Sequence, residues 1–437
     1  MSKRSLVLAT ILPSLLFACG DMDGTGSLTD TGFESETGTT QATSDASSSG
    51  VATTEDSVGT NSDATTEDVT TGKPTTGNPT DSTTEDPTTE DPTTEDPTTE
   101  DPTTEDPTTE DPSETSDTGE PIGMVMCGDE PPPDAELAPD LPTYSGVCPT
   151  LLTGGESVNA IPGQTTILGF PQTIDRTFRV VVPEDLSDDE TLPVIFMWHW
   201  LGGDSKGFYD RSEVQDAANF YRFIAVIPDG REIEQGILFK WPFSITDSME
   251  QMEQDFQFFD DMLACVAEQF YVDKECVSST GVSAGALFTS QLAGGRGDRL
   301  SSIISLSGGT GGATVKPWPG TTHKMPAMVL WGGDDDFCIA VDFAQTSKDL
   351  EQNLESDGHF MLECVHNCEH ATPPFEPPGG LPTYAAMWRF FLDHPYWLED
   401  GQSWYTEEGV PEFYPEWCAI GAGNSDQRVG ECGGSEC

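Results

Sequence analysis

The chain has 437 residues, with 77 Asp and Glu against 18 Lys and Arg, a formal net charge of -59. A surface this acidic repels phosphate backbones and anionic membrane surfaces, which excludes nucleic acid as a partner and leaves neutral or weakly polar ligands. All nine Trp lie beyond residue 170, whereas residues 20–121 hold one aromatic, Phe33, so the capacity to bury a core lies after residue 121.

In chain order, Lys3 and Arg4 precede an apolar run from Leu6 to Phe17, followed by Ala18 and Cys19. A charged start, a short apolar core and a small residue before the cut describe a secretory signal over residues 1–18, too short for a transmembrane helix. Leu16-Phe17-Ala18-Cys19 resembles a bacterial lipobox, which implies acyl chains on Cys19 and an anchor at the outer membrane or cell surface. An ordinary signal peptide cut near Ala18 gives a secreted protein instead. Residues 19–121 read as an acidic tether. Thr-Thr-Glu-Asp-Pro repeats six times from Thr83 to Pro112, and a segment of this composition cannot bury enough apolar area to offset its ordering entropy. A Pro in every fifth position and like-charge repulsion favour extension, on the order of 90 Å for thirty residues.

Residues 122–437 read as a single α/β domain with a core at about 176–395. β-branched or aromatic runs at Thr177–Val182, Val194–Trp200 and Phe223–Pro228 predict strands. Asp260–Phe270 has helical apolar spacing, and a strand, Val277–Thr280, and a helix, Ala284–Ala293, follow it. Strands at Ile303–Leu306, Ala327–Trp331 and His359–Val365, and helices near Val341–Leu354 and at Tyr384–Leu392, complete an alternation that predicts a mostly parallel sheet flanked by helices. Such sheets bind ligands beyond the carboxyl ends of their strands. With Cys19 set aside, ten cysteines remain, an even set that in an exported protein reads as up to five disulfides. Connectivity does not follow from spacing; Cys265–Cys276 and Cys418–Cys432 are the short-range pairings on offer.

Gly281-Val282-Ser283-Ala284-Gly285 is the one Gly-x-Ser-x-Gly in the chain. It falls between a predicted strand and a predicted helix, where a sharp turn raises Ser283 above the sheet and the helix directs its positive end at the site. A serine hydroxyl needs a base, and the base a carboxylate to fix its tautomer. In this architecture they follow in the order serine, acid, histidine. Ala327–Trp331 ends in Gly332-Gly333-Asp334-Asp335-Asp336, so the acid is one of these three aspartates. His199 precedes the serine, His323 precedes the acid, His359 opens its strand at the wrong end and His394 closes a helix. His366 and His370, after the last predicted strand, remain as base.

Arg176–Pro183, Leu192–Gly203, Gly281–Gly285, Trp331–Asp336, Cys364–Pro373 and Trp388–Pro395 together resemble the secreted esterases that include polyhydroxybutyrate depolymerases and feruloyl esterases. The resemblance covers about Arg176 to Pro395 and implies an α/β-hydrolase fold. It further implies Ser283 as nucleophile, Asp335 as acid and His370 as base; acyl transfer through such a triad needs no cofactor, and no metal is expected. The oxyanion hole is expected from the backbone amides of Ala284 and Trp200, with Leu201 as the alternative to Trp200. The chain departs from the family at Trp200, Trp331 and Asn367-Cys368-Glu369; the last replaces a Gly-rich loop and points to a disulfide through Cys368. His199 reads as structural, holding the loop before Trp200. Trp241 is a candidate substrate platform or a core residue.

Cys364-x-His366-x-Cys368-x-His370 also has the residue types of a zinc site. Alternate residues of a strand stand roughly 6.6–6.8 Å apart, however, so four in a row cannot converge on one tetrahedral ion. The sequence therefore predicts an exported serine esterase acting on a neutral ester, polymeric substrates such as polyhydroxyalkanoate or feruloylated or acetylated polysaccharide included. An inactive surface-displayed binding protein on the same fold is the alternative.

Overall fold

The computed structural model describes residues 123–167, 170–231 and 240–437. The expected signal sequence, Cys19 and the expected acidic tether lie outside the described residues.

Among the described residues there are eleven strands and seven α-helices, which include the seven strands and four helices that the sequence predicts together with elements it does not. Nine strands form one sheet: β1 (Gly155–Ile167), β2 (Phe170–Val182), β4 (Ile224–Pro228), β3 (Thr191–Trp198), β5 (Tyr271–Val282), β6 (Ser302–Leu306), β7 (Ala327–Trp331), β10 (Met361–Val365) and β11 (Cys418–Ile420), in that spatial order. From β4 to β10 neighbours run parallel; β1, β2 and β11 pair antiparallel at the two edges. A hairpin of β8 (Phe337–Cys338) and β9 (Val341–Asp342) follows β7.

The central strands are apolar on consecutive positions because both faces of the sheet are covered. Val194, Phe196 and Trp198 of β3 face one core, with Phe259 of α3 (Met249–Gln269), Phe288 of α4 (Ala284–Arg296) and Leu354 of α5 (Phe343–Asp357). Ile195 and Met197 face the other, with Phe208 of α1 (Ser205–Arg211), Ala217 of α2 (Val214–Tyr221) and Trp388 of α6 (Ala385–Leu392).

Element boundaries differ from the sequence reading for local reasons. α3 begins eleven residues before the predicted helix. Ser248 caps it, its hydroxyl accepting from Gln251 N–H at 3.2 Å while the Gln251 side chain accepts from Ser248 N–H at 2.8 Å. This is a reciprocal capping box. The predicted strand Val194–Trp200 stops at Trp198, because the next residues turn toward the site.

Both short-range disulfide pairings are corrected. Cys265 pairs with Cys148 and Cys276 with Cys127, so the N-terminal extension is bound to α3 and β5; Cys364 pairs with Cys418, Cys368 with Cys432 and Cys338 with Cys437. Every bond joins segments distant in sequence. The two cysteines of the zinc-like run are thus in separate disulfides, and no cluster of His, Cys, Asp and Glu suited to a metal occurs among the described residues.

Candidate active site

Ser283 lies between β5 and α4 with φ 55° and ψ -117°. A non-glycine residue in that region is strained, and the surroundings hold it there. A Cβ on Gly281 would stand 2.2 Å from the Gly285 carbonyl carbon, and one on Gly285 would stand 1.9 Å from the Trp198 carbonyl oxygen. Both glycines of the motif are therefore needed for strand and helix to pass so closely.

His370 follows β10 and turns its ring to this serine: Nε2 lies 3.0 Å from Ser283 Oγ, and Nδ1 lies 2.7 Å from Asp336 Oδ1. The carboxylate in reach is Asp336. The expectation of Asp335 is corrected by one residue: Asp335 is exposed, whereas Asp336 is fully buried. The turn after β7 explains the shift. Gly333 takes φ +83°, Asp336 N–H donates to its carbonyl at 3.0 Å, and Gly332 N–H donates to Asp336 Oδ2 at 2.8 Å. The acid thus stands three residues after the second glycine, not the first. Ser307 Oγ–H also donates to Asp336 Oδ2, at 2.8 Å. With both oxygens engaged, the carboxylate has a fixed orientation. Phe343, at the start of α5, stacks on the His370 ring with centroids 4.3 Å apart. Neither Ser307 nor Phe343 carries a sequence signal that distinguishes it from an ordinary core residue.

His366 does not reach the serine. Its Nδ1 accepts from Cys368 N–H at 3.2 Å, the ring is fully buried, and burial lowers its pKa to about 4. His199 bridges the loop after β3: Nδ1–H donates to the Trp200 carbonyl at 2.8 Å and Nε2 accepts from Gly230 N–H at 3.0 Å. That agrees with the structural part expected of it, and burial lowers its pKa to about 4.

An apolar pocket opens over Ser283, walled by Leu201, Phe243, Ala284, Leu287, Val341 and Phe343, with Ile339 of the hairpin at its rim. No charged side chain lines it. Ala284 and Leu201 line the pocket beside Ser283, and the Trp200 ring stacks on Phe208, 6.2 Å between centroids. Trp241 lines no part of the pocket. It is fully buried against Trp198, His199 and Phe288, its Nε1–H donating to the His199 carbonyl at 2.9 Å. The substrate-platform expectation for Trp241 is corrected; it is a core residue supporting the loop after β3.

Beneath the site, Glu351 of α5 accepts from Trp331 Nε1–H at 2.8 Å and shares a hydrogen bond with Glu363 of β10. Burial and the neighbouring carboxylate push Glu351 up to about 8, from an ordinary 4.5. The folded form keeps a proton the unfolded chain has lost, so this group's stabilisation declines as pH rises from about 4.5 through 8. His199, His366 and fully buried His394, all lowered to about 4 from 6.5, act oppositely: their stabilisation is present above about 6.5 and is lost as pH falls toward 4. Below pH 6.5 these buried histidines oppose Glu351, and between pH 6.5 and 8 the decline due to Glu351 continues without their opposition. Calorimetric scans across this range are expected to place the highest Tm near pH 6.5, and Glu351→Gln to flatten the alkaline decline.

No protein-family model and no curated protein matches this sequence. Among solved structures the chain is similar to a protein designated sOPH, at 15% identity over 66% of this chain and 99% of that one, with a TM-score of 0.49. It is also similar to a ferulic acid esterase (12% identity, 50% and 93% covered, TM-score 0.38) and to an acetyl xylan esterase from Aspergillus awamori (16% identity, 46% and 80% covered, TM-score 0.36). The strand order and the strained serine between β5 and α4 are those of the α/β-hydrolase fold.

Proposed function

We propose that this chain is an exported serine esterase that cleaves neutral carboxylic esters through an acyl-enzyme. The observation that carries the reading is the continuous hydrogen-bonded path Ser283–His370–Asp336, at 3.0 and 2.7 Å, at the foot of an apolar pocket. His370 Nε2 takes the proton as Ser283 Oγ attacks the ester carbonyl, and Asp336 stabilises the imidazolium through Nδ1–H. The amide of Ala284 at the start of α4, with an amide of the Trp200–Leu201 turn, receives the oxyanion. Such donors contribute roughly 3–4 kcal/mol each. His370 then protonates the leaving alcohol, and water activated by the same ring releases the acid.

The uncharged pocket and the net charge of -59 favour a neutral acyl group. With the expected lipid anchor on Cys19 and the acidic tether, that fits a polymeric extracellular ester such as polyhydroxyalkanoate or a feruloylated or acetylated polysaccharide. Five disulfides fit an oxidising compartment. The test is turnover of p-nitrophenyl butyrate against p-nitrophenyl hemisuccinate by the full chain. Hydrolysis of the neutral ester, absent in Ser283→Ala, is expected. Failure of a folded, disulfide-bonded parent to turn over any neutral ester would leave the binding-protein reading in its place.

A further inference from the structure

The acid and the base both stand on loops. Asp336 follows β7 in a turn, and His370 follows β10 on a segment without strand or helix. Ser283, by contrast, is fixed by β5 and α4 on either side. What braces the two loops is the C-terminal segment 425–437, which tracks the base loop along its length. Arg428 N–H donates to the Val365 carbonyl at 2.9 Å, Asn367 Nδ2–H to the Gly430 carbonyl at 2.9 Å, and Glu436 N–H to the carbonyl of His370 itself at 3.0 Å. Thr372 Oγ1–H donates to Glu436 Oε1 at 2.9 Å.

Two disulfides complete the brace. Cys368, two residues before His370, bonds Cys432; Cys338, two residues after Asp336, bonds Cys437. The segment is therefore a covalent strap whose two attachments flank the base and the acid. The Cys338 attachment also holds the hairpin that carries Ile339 and Val341 of the pocket wall and leads into Phe343 on the His370 ring.

Resting on the esterase reading, we infer that the strap 425–437 is a positioning device for the Asp336–His370 pair, with Cys338–Cys437 as its thiol-sensitive fastening. Among the five disulfides this is the one with neither cysteine buried. Such a bond is the one open to attack in the folded protein. An external dithiol supplies two electrons and two protons: its sulfurs form a cyclic disulfide, and Cys338 and Cys437 become thiols. The strap end and the hairpin are then free to part, and the acid and base lose their mutual register while the nucleophile turn stays intact. Misplacement on the order of 1 Å costs up to about 100-fold in rate.

The test compares the full chain, its Cys338→Ser/Cys437→Ser variant and the parent titrated with dithiothreitol under native conditions. Each is assayed for p-nitrophenyl butyrate hydrolysis with free thiols counted. The expected result is a fall in kcat of about 10- to 100-fold as the first two thiols appear, recovery on reoxidation, and a similar fall in the double variant. Because the strap acts through the acid–base pair, opening it in an Asp336→Asn background should cost little more. Unchanged kcat with the bond open, or an equal further loss in the Asp336→Asn background, overturns the inference. The parent titration decides the matter even where the double variant does not fold. An oxidised parent that hydrolyses nothing sinks the esterase reading and the strap with it, whereas an active parent indifferent to the open bond sinks the strap alone.

Discussion

Asp336→Asn is expected to lower kcat by on the order of 10⁴-fold, and Asp335→Asn by less than about twofold. The first magnitude is that of a carboxylate that fixes the tautomer of a catalytic histidine, where an amide leaves the geometry intact but presents the wrong hydrogen-bonding pattern. Asp336 Oδ1 accepts from His370 Nδ1–H, and its Oδ2 is held by Ser307 and Gly332. An Asn in that place either turns its NH₂ toward the ring, so that Nε2 carries the proton and cannot act as base toward Ser283, or presents its amine to two other donors. Asp335 is exposed, and the carboxylate that His370 Nδ1 meets is that of Asp336. Because the residues are adjacent and chemically identical, the pair of variants separates geometry from a general effect of negative charge near the site. Steady-state kinetics on a single soluble ester suffices.

The second large effect concerns stability. Trp241→Ala is expected to cost roughly 3–5 kcal/mol, as for large aromatic residues removed from packed cores, and to leave KM for a small ester far less changed than kcat or Tm. The indole is fully buried, edge-on to Trp198 at 5.1 Å and stacked on Phe288 at 5.6 Å. Its loss removes the donor to the His199 carbonyl and opens space beneath the loop that carries Trp200 and Leu201. Denaturant melts with parallel kinetics check both halves. A stable variant with a selectively raised KM would return Trp241 to the part of a substrate platform.

Much of the fold was legible because the parallel strands are buried on both faces and so appear as continuous apolar runs, as in Ala327–Trp331. Edge elements were not. β1 pairs only with β2 and alternates buried with exposed positions around Ile161, and β11 has three residues, held by its pairing with β10 and by Cys364–Cys418. The nucleophile was legible because glycine is obligatory on both sides of it, so the motif reports a steric constraint. The base is legible from its place after the last predicted strand together with the family resemblance. The acid stands one residue beyond the expected position because two successive glycines leave the length of the turn open in the sequence, and the turn is fixed by the φ of +83° at Gly333. The disulfides join segments 54 to 149 residues apart; local spacing carries no information about such pairs. Trp241 shows the same limit for aromatics, since a buried tryptophan and a platform tryptophan are identical in sequence.

The most direct measurement is fluorophosphonate labelling of the full, oxidised chain, followed by peptide mass mapping. Activation of the serine by His370 requires a single adduct on Ser283, absent in Ser283→Ala and sharply slowed in His370→Ala. A folded, fully disulfide-bonded protein that takes up no label, or that carries it on another residue, would contradict the assignment of Ser283 as an activated nucleophile.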